Sequence, residues 1–205
     1  RDSNIKWIHV HNEKSGGFMA DIYSRVSGKT GVVFSTVGPG ATNLTSALAN
    51  ATQDRVPLVA ISDQVSTLEL NRETHQYLNL AEAFHPRTGI TKGTFIVKNL
   101  RELPEIINSA FKIAQAEPKG AVHISFPADI YGKEVPKDIH SGNFFEIKNV
   151  YSKSTIAYEE IVEKLNSEKR CLLIAGGSIE RANSQREFKK FIKKFDLPVL
   201  TTFRG

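Results

Sequence analysis

Three places in this chain carry residue types that could do chemistry. Glu13 is an acid between a strand-like run and a helical one, and Thr36-Val37-Gly38-Pro39-Gly40-Ala41-Thr42-Asn43 is a glycine turn between an apolar run and a helix. His75 and Gln76 sit in a polar stretch after the third strand-like run, where active-site loops are often found. A carboxylate at a helix start can cap the helix or complement its dipole. Desolvated by Trp7, Phe18 and the apolar strands, it could instead hold and move a proton. A glycine turn after a strand lets backbone approach a ligand, and the helix start offers free N–H groups. It can equally be a tight connection, with Asn43 serving first-turn backbone groups. No G-x-G-x-x-G follows the strand and no Gly-Lys-Ser/Thr follows the turn, so the dinucleotide and P-loop readings fail. His9, His11, His75, His85, His123 and His140 show no metal-ligand spacing beside acids or cysteine.

The elements that must position these residues alternate. Lys6 to His11 reads as a strand, and Ser15 to Ser27 as a helix with Phe18, Met19, Ile22, Tyr23 and Val26 on one face, ended by Gly28. Gly31 to Thr36 is apolar enough for a strand buried on both faces. A helix over Thr42–Asp54 and a strand over Val56–Ser62 follow, the strand ending at Asp63-Gln64. Thr94–Val97 and Ala121–Phe126 read as strands, separated by a helix over Leu100–Ala116 with Pro104 in its first turn. Residues 132–152 turn polar and read as a linker. The alternation then restarts: a helix near Ile156–Leu165, a strand at Cys171–Ala175, a helix near Asn183–Phe195 and a strand at Pro198–Phe203. The fold class is therefore α/β, a parallel sheet flanked by helices, with the start of a second α/β domain. The expected divisions are residues 1–131, a linker over 132–152, and an incomplete domain over 153–205.

Composition narrows the function classes. The chain has 205 residues, 40% hydrophobic and 24% charged, as in ordinary globular proteins. No apolar run reaches the length of a membrane span, and no signal peptide is evident. The first residue is Arg1 rather than Met, which leads us to expect sequence upstream. Cys171 is the single cysteine; it fits a cytoplasmic, reducing setting and reads as a small core hydrophobe in a buried strand. The net charge is +5, and its densest basic run, Arg186 to Phe195, spaces Phe188, Phe191, Ile192 and Phe195 as one face of an amphipathic helix. No nucleic-acid motif accompanies that charge.

In combination the blocks are more specific. His11-Asn12-Glu13, Phe18 to Arg25, Ser35 to Leu44 and Asp54 to Val65 follow one another in fixed order. Over about residues 5–131 the chain resembles the pyrimidine-binding N-terminal domain of thiamine-diphosphate enzymes of the acetolactate (acetohydroxyacid) synthase and pyruvate oxidase group. From Cys171 to Gly205 it is similar to the start of that group's central domain. The resemblance implies that Glu13 hydrogen-bonds the cofactor's aminopyrimidine and drives formation of the thiazolium ylid. That species attacks a 2-oxo acid, and the cofactor then acts as electron sink. It also implies that Gly38, Pro39, Gly40 and Asn43 line the pyrimidine and that Gln64 lies near the substrate side. Glu73-Thr74-His75-Gln76-Tyr77-Leu78 departs from the usual synthase loop and looks closer to carboxyethylarginine synthase, in whose branch a His-Gln pair lies in the active site. His75 and Gln76 are accordingly expected on the substrate side.

The same resemblance says what these residues do not supply. The group binds the diphosphate and Mg2+ through another domain with a Gly-Asp-Gly start, and no Gly-Asp-Gly occurs here. No metal ligand is therefore assigned in this chain. A second subunit or domain is expected to complete the site, which implies a homo-oligomer. FAD occurs in the central domain of several group members, and nothing in these residues supports it. The expected activity is a 2-oxo acid decarboxylase/carboligase of the acetolactate synthase type. The alternatives are a carboxyethylarginine synthase-like C–N ligating enzyme and a non-catalytic truncated module.

Overall fold

A computed structural model describes residues 5–70, 72–134, 136, 155–167 and 170–203. The chain forms two compact units, one within residues 1–149 and one within 150–205. The first contains α1 (Glu13–Ser27), β1 (Gly31–Ser35), α2 (Pro39–Asn43), α3 (Thr45–Gln53), β2 (Leu58–Gln64), α4 (Leu80–Ala83), β3 (Gly93–Ile96), α5 (Leu103–Gln115) and β4 (Ala121–Pro127). The four strands form one sheet in the order β1-β2-β4-β3. Every pairing is parallel. The α/β expectation holds, since parallel neighbours are joined by crossovers, most often through a helix, as α2 and α3 do between β1 and β2 and α5 between β3 and β4.

Alternation along the strands divides the core. Val33, Leu58 and Ala60 pack with Ala20, Leu44, Leu48 and Phe84 on one face. On the other, Val59, Val122 and Ile124 meet Ala110 and Ala114 of α5. Pro104 does occupy the first turn of α5. Burial of β1 on both faces is corrected, since Val32 and Phe34 are exposed. It is an edge strand, and α5 makes its main contacts with β2, β3 and β4.

Three further expectations change. Residues 5–12 carry no strand. Ile5, Trp7, Ile8 and Val10 are residue types that favour strands, yet no described strand offers them ladder partners, and all four are exposed. The single helix over Thr42–Asp54 is two, and the first begins earlier, at Pro39. Proline's fixed φ and missing N–H suit that first position.

The third change concerns α1, which buries the opposite face from the one its large apolar residues mark. Gly17, Ala20, Asp21 and Ser24 are inside. Phe18, Met19, Ile22, Tyr23 and Val26 are exposed. Close approach decides this. A Cβ on Gly17 would lie 2.6 Å from that of Ala47 in α3, so only small residues fit. The polar members are satisfied. Asp21 accepts two hydrogen bonds from Arg25 at 3.1 Å and one from Asn50 at 2.9 Å. Arg25 also reaches Asp54 at 2.6 Å. Removing one partner of such a buried charge typically costs about 3–5 kcal/mol. Gly28, at φ 70°, closes the helix as expected.

The second unit contains α6 (Thr155–Ser167), β5 (Leu173–Ala175), α7 (Ser178–Arg181), α8 (Gln185–Phe195) and β6 (Val199–Thr201). Here β5 and β6 pair in parallel. Phe188, Phe191, Ile192 and Phe195 of α8 are half-buried and its lysines exposed, the two faces the spacing predicts. Of the linker expected over 132–152, only 132–134 and 136 are among the described residues.

Candidate functional site

Each candidate residue of the first unit lies at or near the carboxyl end of the parallel sheet. That is where crossover helices begin and where α/β sheets bind ligands. Glu13 is the first residue of α1, behind an Asn12 cap whose side chain accepts the Ser15 N–H at 3.4 Å. Gly38 follows β1 and caps α2. Gln64 ends β2.

A hydrogen bond joins two of the predicted residues. Asn43 Nδ2 donates to Glu13 Oε2 at 3.0 Å. Gly40 lies beside the other oxygen: a Cβ there would fall 3.2 Å from Glu13 Oε1 and 2.5 Å from Thr36 Cγ2. Glu13 is half-buried, so the desolvation expected from Trp7 and Phe18 is incomplete. Both rings are exposed, and Trp7 leans on Phe34 at 5.1 Å. The local reading of Glu13 holds, since it is an acid in the first turn of α1. One of its oxygens is held by an amide, and the other lies beside Gly40.

The loop that carries His75 and Gln76 meets the same turn. Gly38 sits at φ 62°. A Cβ on it would lie 2.5 Å from the Gln76 carbonyl oxygen. Gln76 is itself at φ 61°, an uncommon conformation for a residue with a side chain. The Tyr77 N–H closes this loop on the Thr74 carbonyl at 3.2 Å. Thr74 Oγ1 is buried with no hydrogen-bond partner among the described residues. His75 and Gln76 are both exposed.

Gln64 makes different contacts. It is buried, its Nε2 donates to the Leu78 carbonyl at 3.1 Å, and its Oε1 accepts the Val65 N–H at 2.9 Å. Both ends of the amide are thus occupied by backbone. It lines a cavity of about 380 Å³ together with Thr67, Leu70, Tyr77, Asn79 and Lys98. A larger hollow of about 710 Å³ lies along α8 in the second unit, walled by Arg186, Lys189, Lys190 and Lys193. It is an open, mainly basic surface that also includes Asn183, Gln185 and Glu187.

Sequence reasoning missed three parts of this region. Thr36 walls the glycine turn against Gly40. Asp63, read only as the end of a strand, and Asp129, not singled out at all, hold Tyr131 and Thr67 respectively. A buried chain of polar groups also runs through the sheet. His123 is flanked by Thr94 Oγ1 at 3.4 Å and Ser62 Oγ at 3.0 Å, and Ser62 meets Ser35 at 2.8 Å. Burial pushes the His123 imidazole down to about 3. The one available signal was polar residues inside apolar strand runs.

Comparison with known proteins decides what this arrangement belongs to. Residues 1–83 match the thiamine pyrophosphate enzyme N-terminal TPP binding domain, and residues 158–205 match the thiamine pyrophosphate enzyme central domain. The chain belongs to the thiamine pyrophosphate enzyme family. Over 99% of its length it is 34% identical to a probable acetolactate synthase large subunit of Methanococcus aeolicus, covering 34% of that protein. It is 34% identical over 98% of its length to the acetolactate synthase large subunit of Buchnera aphidicola, covering 35%. It is also 30% identical over 100% of its length to an acetolactate synthase of Bacillus subtilis, again covering 35%. The chain thus spans about a third of the length of these curated relatives.

The residues present fit the aminopyrimidine of thiamine diphosphate. A carboxylate with one oxygen tied down and one available suits a ring nitrogen. Gly38 and Gly40 let the turn pack closely against the Gln76 carbonyl and Thr36, which brings the Gly40 backbone beside Glu13 Oε1. The buried, unpartnered Thr74 hydroxyl adds a polar group in the loop that meets Gly38. No group of three or more His, Cys, Asp or Glu placed to hold a metal occurs among the described residues. None of the described helices is long and apolar enough to cross a membrane.

Proposed function

We propose that the chain is the pyrimidine-side region of an acetolactate synthase-like enzyme, a thiamine-diphosphate-dependent 2-oxo acid decarboxylase and carboligase. The observation that carries this reading is the Asn43–Glu13 hydrogen bond beside Gly38 and Gly40. When bound, the cofactor supplies an electron sink for decarboxylation. Glu13, Gly38, Pro39, Gly40 and Asn43 are the residues that hold its aminopyrimidine. The Asn43 amide fixes Glu13 Oε2 and leaves Oε1 to hold and return a proton at the ring nitrogen. His75 and Gln76 face the substrate from the loop seated on Gly38, and Gln64 borders the same side from the end of β2.

The remaining assignments follow from the family. The diphosphate and Mg2+ are held by another domain, brought by a second subunit of a homo-oligomer. Residues 1–131 form the pyrimidine domain, 132–152 the linker and 153–205 the start of the central domain. The single cysteine, Cys171, fits a cytoplasmic setting. The relatives reported above are acetolactate synthases, so neither the C–N ligating nor the non-catalytic alternative is needed.

The test is Glu13→Gln in the whole enzyme, followed as 2-oxo acid consumption with saturating cofactor. The expected loss in kcat is about 10²- to 10⁴-fold, the usual contribution of a positioned acid–base group. Unchanged turnover would overturn the assigned role.

A further inference from the structure

Two contacts tie the stretch after β4 to the stretch around the end of β2. Asp129 accepts the Thr67 N–H at 2.8 Å through Oδ1 and the Thr67 hydroxyl at 2.7 Å through Oδ2. Two residues on, Tyr131 donates its phenol to Asp63, and its ring tilts against Phe126 at 4.6 Å. Asp63 lies within β2 and Thr67 just past its end, so the segment between them is held at both ends. The Thr67 N–H and hydroxyl hold the Asp129 carboxyl below the usual carboxylate range, with a smaller contribution from Lys133 at 3.9 Å. Charge-assisted pairs of this kind are about twice as strong as neutral ones.

What the clamp holds is a wall. Gln64 and Thr67 face the 380 Å³ cavity, opposite groups contributed by Tyr77, Asn79 and Lys98. The lining suits a small carboxylic acid. Lys98 brings a cation, Thr67 and Asn79 bring neutral donors, and Leu70 offers an apolar surface. The Gln64 amide is already spent on the Leu78 carbonyl and the Val65 N–H, so it stiffens the wall from within. Thr67 is the wall residue whose place depends on a group outside the loop, and that group is Asp129.

We infer that Asp129 is a positioning residue: by clamping Thr67 it fixes the wall of this cavity and sets how tightly the 2-oxo acid is held there. The inference rests on the carboligase reading for the identity of the acid, and on geometry alone for the clamp. Asp129 does not touch the Glu13 proton site, so its effect falls on substrate affinity rather than on the chemical step.

The experiment uses the whole enzyme with Asp129→Ala, Asp129→Asn and Thr67→Val. Hydrogen exchange at residues 65–68 reads the clamp, and steady-state kinetics read the acid. In Asp129→Ala, exchange is expected to rise about tenfold or more, the equivalent of a lost hydrogen bond to a charged group. KM for the 2-oxo acid should rise by about tenfold with kcat held within about twofold. Asp129→Asn keeps an oxygen for the Thr67 N–H and should restore most of both. Should Asp129→Ala fail to fold, Thr67→Val removes only the hydroxyl contact and is expected to raise KM and exchange by less. Unchanged exchange and KM in a folded Asp129→Ala or in Thr67→Val, or a fall in kcat at constant KM, would overturn the inference. An enzyme that consumes no 2-oxo acid would sink the carboligase reading, while the exchange arm would still decide the clamp.

Discussion

Acidification should destabilise the first unit through one buried imidazole. His123 is fully buried, stacks on Phe84 at 4.2 Å, and among the described residues has the Thr94 and Ser62 hydroxyls at its nitrogens. Its folded pKa is about 3 against an ordinary 6.5. The unfolded chain therefore takes up the proton first. The stability is fully present above pH 6.5 and is lost as pH falls from there toward 3. At about 1.4 kcal/mol per pH unit, roughly 2 kcal/mol is gone by pH 5. Carboxylates contribute their own slope in the same range, so the comparison is with His123→Gln, which removes the titration. Urea unfolding of both proteins at pH 7.5 and pH 5, extrapolated to water, gives the difference. The wild-type chain should lose about 2 kcal/mol more than the variant over that interval. Equal losses would refute the claim that the imidazole is held neutral by burial.

Two substitutions test the packing around the site. Gly38→Ala must hold a side chain at φ 62° and meet the Gln76 carbonyl, whereas Gly28→Ala has the same sign of φ and open space. The first should cost about 1–3 kcal/mol more than the second in urea midpoint comparisons; equal costs would mean that the loop does not rest on the turn. Leu48→Ala, in the core cluster beneath α3, should lose about 2–5 kcal/mol of unfolding free energy; a loss under about 1 kcal/mol would place Leu48 outside the core.

Much of this fold was legible because long periodic runs name their own elements. The apolar runs that became β1, β2 and β4, and the stripe along α5, were read to within a few residues. The misreadings share a cause, since they turn on neighbours a local pattern cannot show. Ile5 to Val10 has strand chemistry but no described ladder to join. The large apolar residues of α1 mark the helix without marking its buried face, because Gly17 meets Ala47, and Gly31 the Ala20 backbone, too closely for larger residues. The candidate site divides in the same way. Glu13 and Asn43 are 30 positions apart, and no periodicity joins them; the ordered family blocks did. Asp129 and Thr67, 62 positions apart, went unnoticed because each looks like ordinary punctuation at the end of a strand.

The contact between Gly17 and Ala47 also works as a spacer. Glu13 rides on the helix that contains Gly17, and Asn43 ends α2, one residue before the helix that contains Ala47. Their 3.0 Å hydrogen bond can close only if those two rods stand one small residue apart. Thickening either surface by a single methyl group would pry the helices open and carry the carboxylate out of reach of its amide. The hydrogen bond at one end of the helix pair is thus held to a tolerance set about a turn away, by two residues that take no part in it.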